Sequence, residues 1–552
     1  MTQAPNTPTP RDEALARLTA PGQRFEIRDE PVRGAQLPVF ANRHRCLAEL
    51  LEASRQHGDA DYLVTEDERL SHADHYAMVA AVATALREEH GVRPGDRVAL
   101  CGANSIEWIV GFWATVSLGA VAVGMNSMWS AGELADGVEL TSPKVLFVDR
   151  PRSALVGETS ARVVGLEPDT DREDDLRAMA ARHRGAELPR AEVDEDDAAV
   201  ILFTSGTSGR AKGATHSHRN VIAAVWFHLL NDAIAAELGF AMKDRRYLLA
   251  TPLFHIAGLH NLAVVRLFVG DTAVIHRGRF EIDRVLRLME KERVTNWGAV
   301  PTMLNRLLET DLSGYDLSAF RTLSVNSAPS TPGLKERIRE HLPVAGASLG
   351  TTYGLTESST GATLATAADL AIDPDSVGRP VVNIEVQIRA EDGTVVGEGV
   401  EGEVCLRGAQ MMLGYWANPE ATAESITADG WFRTGDLGSL VNGHLRIASR
   451  RSDLILRGAE NIYPTEVEHQ LMLHPDVVEC IVLGVPDPDF GQAVAAVVVV
   501  GPESTVDETG LREHLAERLA RYKTPSVWRI TTAALPRNAT GKVSRREVRL
   551  QD

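Results

Sequence analysis

Residues 203–213 read FTSGTSGRAKG, and the organisation of the chain can be worked out from this stretch. A hydrophobic run, AAVILF (198–203), leads straight into Thr204, Ser205, Gly206, Thr207, Ser208 and Gly209, and Lys212 and Gly213 close it. An apolar run that stops at glycines and hydroxyls reads as a buried strand feeding a tight loop. Small side chains let backbone N–H groups approach an anion, hydroxyls add donors, and a lysine adds a point charge. The stretch therefore suits a polyphosphate. It is not a Walker A loop, because Gly206 is followed by Thr-Ser-Gly-Arg and then Ala211-Lys212, where that pattern needs Gly-Lys-Ser/Thr. Taken alone, it also fits a flexible Gly/Ser turn.

Working outward, apolar runs of strand length alternate with helical periods on both sides of the loop. KVLFVD (144–149), AVILFT (199–204), YLLATP (247–252), TAVIHR (272–277), TNWGAV (295–300) and TLSVNS (322–327) read as strands of parallel sheets with crossover helices. A strand pair and a long helix starting near Ser71 are expected within 61–91. Trp108 to Met125 carries no charge over the length of a short membrane span, but three glycines and a change of period make it a buried helix–strand unit. After Ser376 the chain turns to Gly/Val-rich alternation, the pattern of short antiparallel strands in a small β-barrel or sheet. From Arg450 helices and strands return. The fold class expected is α/β: a large N-terminal domain (26–449) of two α/β layers plus a small β-barrel, a hinge at 450–453, and a small α+β domain (454–552). Residues 1–25, rich in Pro, Thr and charge at their start, are expected to form a poorly ordered tail.

The 552 residues correspond to about three domains. A formal charge of −19 excludes the basic face of a nucleic-acid-binding protein, so any anionic substrate must meet a local positive site. Cys46, Cys101, Cys405 and Cys480 form no metal-spaced pair, and their sparseness fits a reducing cytoplasm. The N-terminus lacks the basic and apolar regions of a signal peptide.

Five motifs follow one another in order: FTSGTSGRAKG, YGLTES (353–358), WFRTGDLG (431–438), SRRSDLILRGAENIYPTEVE (449–468) and LPRNATGKVSR (535–545). Together they resemble the adenylate-forming superfamily, closest in pattern to AMP-forming acyl-CoA synthetases, from about Arg43 to Arg549. The resemblance implies two half-reactions. A carboxylate and ATP, with Mg²⁺, give acyl-AMP and pyrophosphate, and then a thiol, usually of coenzyme A, displaces AMP. It also implies a mobile small domain that pivots between the two.

Within that resemblance, Thr204, Ser205, Gly206, Thr207 and Lys212 would cradle the departing phosphates. Thr352, Tyr353 and Gly354 would lie along the nucleotide, with Tyr353 facing adenine, Thr356 donating to the α-phosphate and Glu357 supplying an oxygen ligand to Mg²⁺. Ser327, Ala328 and Pro329 would run past the adenine. Asp436 suits two ribose hydroxyls, and Arg450 the ribose or phosphate. Lys542 would bridge the carboxylate and the α-phosphate in the first step. TPLFHIAGLHNL (251–262) resembles the pocket entrance, with His255 as gate beside Ile256. Trp297, Gly298, Ser327, Ser348 and Gly350 would line the cavity. With no aspartate among 253–257 to pair an amino group, the pocket favours an apolar carboxylic acid. Two departures bear on the second step: Ser452 replaces lysine or aspartate at the pivot, and Ala459 replaces the second glycine between Gly458 and Glu460, against the pantetheine tunnel. Adenylation alone, with acyl-AMP passed to a carrier protein or a separate ligase, therefore stays open beside coenzyme A thioester formation. So do a luciferase, a degenerate nucleotide-binding regulator, and a homodimer.

Overall fold

In the computed structural model the run AAVILF lies in the strand Ala198–Thr204, which turns back antiparallel into Lys212–Ser217 with Thr204 paired to Lys212. The structure describes residues 9–168, 170–204, 210–325, 332–342, 344, 348–450, 453–457, 460–488, 490–516, 518–538, 541–545 and 547–550, without the side chains of 332, 333, 460 and 461. The two strands belong to a seven-stranded sheet. Its middle is parallel: Ala198–Thr204, Val121–Gly124, Arg97–Cys101, Val145–Val148 and Arg162–Gly165 lie side by side, and Gly414–Tyr415 pairs with Lys212–Ser217 at one edge. Parallel strands need crossovers, and helices such as Ile106–Ser117 supply them. That helix is buried on every side, with Trp108, Phe112 and Trp113 at its centre, which is why its sequence has no polar face.

The second layer is a thirteen-stranded sheet. Asp61–Val64, Thr272–Ile275, Arg246–Leu249, Asn296–Ala299, Thr322–Val325 and Gly350–Tyr353 form its parallel centre. It runs on through Thr363–Ala365 and Ser376–Pro380 into the antiparallel unit His444–Arg450, Phe432–Val441, Gly402–Gly408 and Ile384–Arg389. Beyond Arg450 the chain leaves this sheet for a five-stranded one, in which Ile455–Arg457 and Glu460–Ile462 join the long pair Val477–Asp487 and Gly491–Val500, with Val527–Thr531 parallel to the last. The helices Pro464–Met472 and Glu508–Ala516 cover it. Among the described residues, no helix is long and apolar enough to cross a membrane.

The N-terminal tail is a correction. Pro10–Thr19 is a helix with a Thr9/Asp12 capping box and proline in its first turn. Ala14 is buried, and Arg11 and Arg17 bond Asn231 and Glu237 on the helix His218–Glu237. The charged residues dismissed as tail composition are the helix's docking contacts. Next in the chain, Ile27–Val32 and Ala35–Phe40 form a hairpin whose tip, Arg33-Gly34, has positive φ at both residues.

Candidate active site

Three groups of side chains converge where the two sheets and the C-terminal domain meet. The first hangs on the edge of the seven-stranded sheet. Lys212 starts its strand with its ammonium 5.1 Å from the centre of the Tyr415 ring, and the Tyr415 hydroxyl donates to Glu357 Oε1 at 2.8 Å. Thr204 faces Lys212 across the ladder, so the two ends of the glycine-rich loop are held in register. Ser205, Gly206 and Thr207 lie outside the described residues, as do Ser327, Ala328 and Pro329.

The second group sits at the end of the strand Gly350–Tyr353, which contains Thr352. The chain then bends at Gly354, where a Cβ would come within 2.6 Å of the Thr360 carbonyl oxygen, so no other residue fits without movement. Thr356 and Glu357 open the short 3₁₀ turn Thr356–Ser358. Glu357 is buried, and desolvation raises its pKa despite Tyr415 and the more distant Arg450. A buried carboxylate whose charge is left under-compensated by its protein neighbours is a fitting oxygen donor for Mg²⁺.

The third group joins Asp436 and Arg450, which are register partners on the strands Phe432–Val441 and His444–Arg450. Arg450 Nε lies 3.2 Å from Asp436 Oδ1, and the Tyr353 hydroxyl donates to Oδ2 at 2.6 Å. The phenol thus fixes the aspartate expected to face the ribose, a link that the sequence did not suggest. Burial raises the pKa of Asp436 and outweighs the lowering by Arg450.

Lys542 arrives from the C-terminal domain. Its pKa is pushed down to about 8, by burial first and the Arg450 charge second, against the pull of Asp436 and Glu357. His255 feels the lysine in turn: burial, then the Lys542 charge, push its pKa down to about 3, and its Nε2 is buried without a partner. A neutral imidazole with one free nitrogen therefore stands beside the ammonium. Gly541 makes the approach possible, with φ +78° and a would-be Cβ only 2.7 Å from Thr302 Oγ1 of the large domain.

Of the residues expected to line the cavity or its entrance, Ile256, just before the π-helical turn Leu259–Val264, and Gly298 are half-buried. Gly350 is also half-buried, and Ser348 is tied to backbone: its hydroxyl accepts from the Leu323 N–H at 3.3 Å and donates to the Val344 carbonyl at 3.4 Å. Trp297 is a correction. It is 1% exposed and packs against Phe280 at 6.4 Å, because strand alternation points it into the core and gives the other face to Gly298. Of the hinge and tunnel positions, Ser452, Gly458 and Ala459 lie outside the described residues, while Glu460 begins the strand Glu460–Ile462.

Comparison with known proteins decides the family. Residues 50–416 match the AMP-binding enzyme family, and residues 466–542 match the AMP-binding enzyme C-terminal domain. The chain belongs to the AMP-binding enzyme family. Feruloyl-CoA synthase of Amycolatopsis sp is 35% identical over 484 residues, covering 87% of this chain and 93% of that protein. The long-chain-fatty-acid–CoA ligase FadD13 of Mycobacterium tuberculosis is 34% identical over 493 residues, with 88% and 93% covered. Among solved structures, o-succinylbenzoate CoA synthetase (MenE) of Bacillus subtilis, in complex with its acyl-adenylate intermediate, superposes with a TM-score of 0.77 at 30% identity over 91% of this chain and 98% of that one. The same enzyme has also been solved with ATP and a magnesium ion.

Proposed function

We propose that this AMP-binding enzyme activates an apolar carboxylic acid, with Lys542, Arg450, Asp436, Glu357 and Lys212 as the residues that handle ATP. The reaction class is that of an AMP-forming acid–thiol ligase. The observation that carries the assignment of residues is the convergence of Lys542, from the C-terminal domain, with Asp436, Arg450 and Glu357 of the large domain.

In the first half-reaction a carboxylate oxygen attacks the α-phosphorus and pyrophosphate leaves. Two anions must be brought together, so the positive charges of Lys542 and Arg450 lower the barrier by meeting the charge that builds in the transition state. Lys212 stands at the other end of the site, where the leaving phosphates pass the glycine-rich loop. Mg²⁺ held by Glu357 would supply further neutralisation of phosphate charge. Asp436, fixed by Tyr353, holds the ribose. His255 is neutral and borders the entrance, where it can face the substrate carboxylate without repelling it through a charge of its own. In the second half-reaction the thiol sulfur attacks the acyl carbonyl and AMP leaves. Coenzyme A is the thiol that we expect, and a carrier-protein thiol is the alternative acceptor at the same step, for which Ala459 is the residue to examine. Four free, widely separated cysteines fit a cytoplasmic setting.

The test is a panel of aryl, fatty and polycyclic acids with ATP, read as pyrophosphate release with and without coenzyme A. At least one acid should drive release, and with coenzyme A the product should be a thioester. Lys542→Ala should cut acyl-AMP formation by at least about 100-fold while sparing thioester formation from supplied acyl-AMP. Equal loss of both steps would remove Lys542 from the first.

A further inference from the structure

The turn that carries Thr356 and Glu357 ends in Ser359, which has φ +60° and ψ −31° and is completely buried. For a residue with a side chain this is a left-handed conformation that the surroundings must impose. Backbone hydrogen bonds, one within the turn and one from a distant segment, do only part of this. The Ser359 N–H bonds the Thr356 carbonyl at 3.2 Å, and the Met412 N–H bonds the Glu357 carbonyl at 2.8 Å.

Two histidines complete the hold from behind. Ser359 Oγ and His216 Nδ1 are 2.7 Å apart, and the Ser359 carbonyl lies 3.3 Å from His260 Nδ1. Both rings are completely buried and meet edge to face at 5.1 Å. His216 lies four residues after Lys212 on the strand Lys212–Ser217, so strand alternation places the two on one face. The turn is therefore held twice from this side, at Ser359 by His216 of that strand and at the Glu357 carboxylate by Tyr415, whose ring lies against Lys212. The hairpin tip adds a third support, with Arg33 donating to the Met411 and Met412 carbonyls at 3.1 and 2.7 Å.

We propose that His216 and His260 are positioning residues for adenylation, which clamp Ser359 in its left-handed conformation and so set the Glu357 carboxylate for the divalent cation that accompanies ATP. The proposal rests on the assignment of Glu357 as the metal ligand. Neither histidine touches substrate. Each acts through the backbone of the turn, and the measurable consequence is a change in how ATP binding depends on Mg²⁺, not in ATP binding as such.

Calorimetric titration of the full chain with ATP, at a series of Mg²⁺ concentrations and in excess EDTA, separates the two. His216→Leu should raise the Mg²⁺ concentration for half-maximal ATP binding about tenfold, the effect of one lost buried hydrogen bond, with the affinity in EDTA unchanged. His216→Asn, which keeps a polar atom near the Nδ1 position, should stay within about twofold of the unmodified protein. Ser359→Ala removes the same bond from the other side and should match His216→Leu, which keeps the test available if the leucine variant does not fold. A His216→Leu or Ser359→Ala protein with unaltered Mg²⁺ dependence, or with equal losses in Mg²⁺ and in EDTA, would overturn the clamp. Glu357→Gln is the control for the underlying assignment: if it leaves the Mg²⁺ dependence unaltered, Glu357 is not the metal ligand and the clamp falls with it, whereas a shift for Glu357→Gln alone removes only the clamp.

Discussion

Lys542 is a lysine whose surroundings work against its charge. Burial and Arg450 bring its pKa to about 8, so the ammonium is present below that pH and is lost as pH rises through it. For the first half-reaction, kcat/KM, which reports the free enzyme, should be level between pH 6.5 and 7.5 and about tenfold lower at pH 9. The fall in kcat should come at higher pH, because bound phosphates favour the charged form. Lys542→Arg stays charged throughout and should flatten the kcat/KM profile, although its rate is lower because the guanidinium does not reproduce a point charge. The same alkaline fall in the arginine variant would assign the titration to another group. At this scale the sequence was informative about chemistry and uninformative about support. Lys212, Glu357, Asp436, Arg450 and Lys542 stand in the motifs that carry the family resemblance. The contacts Tyr415–Glu357, Tyr353–Asp436 and His216–Ser359 each join segments far apart in the chain, and no local spacing records a contact made only by folding.

At the scale of elements, the strands of both sheets were legible because parallel strands buried on two faces read as continuous apolar runs. The antiparallel unit after Ser376 was legible by its alternation. Trp297 was misplaced because the family resemblance assigned it to the cavity lining, while the two-residue period of its strand Asn296–Ala299 sends it into the core. The N-terminal helix was missed although its start signal was present: Thr9, Pro10 and Asp12 make a capping box with proline in the first turn. Proline-rich composition was weighed above position, and position decides. Removing that cap with Thr9→Ala should cost the helix about 1 kcal/mol, so amide hydrogen exchange in 10–19 should quicken about fivefold while the sheets are unaffected. Exchange at the original rate would mean that Arg11 and Arg17, docked on Asn231 and Glu237, hold the helix without its cap.

At the scale of the molecule, residues 50–416 and 466–542 match separate family models, and the chain changes sheet after Arg450. Gly541 is one point at which the two parts meet. A Cβ at Gly541 would come within 2.7 Å of Thr302 Oγ1, so that one of the two must shift, and the glycine's φ of +78° disfavours any other residue. Gly541→Ala should therefore slow acyl-AMP formation by about 10- to 100-fold, in line with misplacing a reacting group by about an ångström, and leave thioester formation from supplied acyl-AMP intact. Equal slowing of both steps would mean that the contact serves folding instead. The seat of Gly541 on Thr302 thus works as a gauge with a tolerance of a single atom. A site made by two separately folded bodies keeps its precision only if something measures the gap between them, and here the measuring piece is a missing side chain.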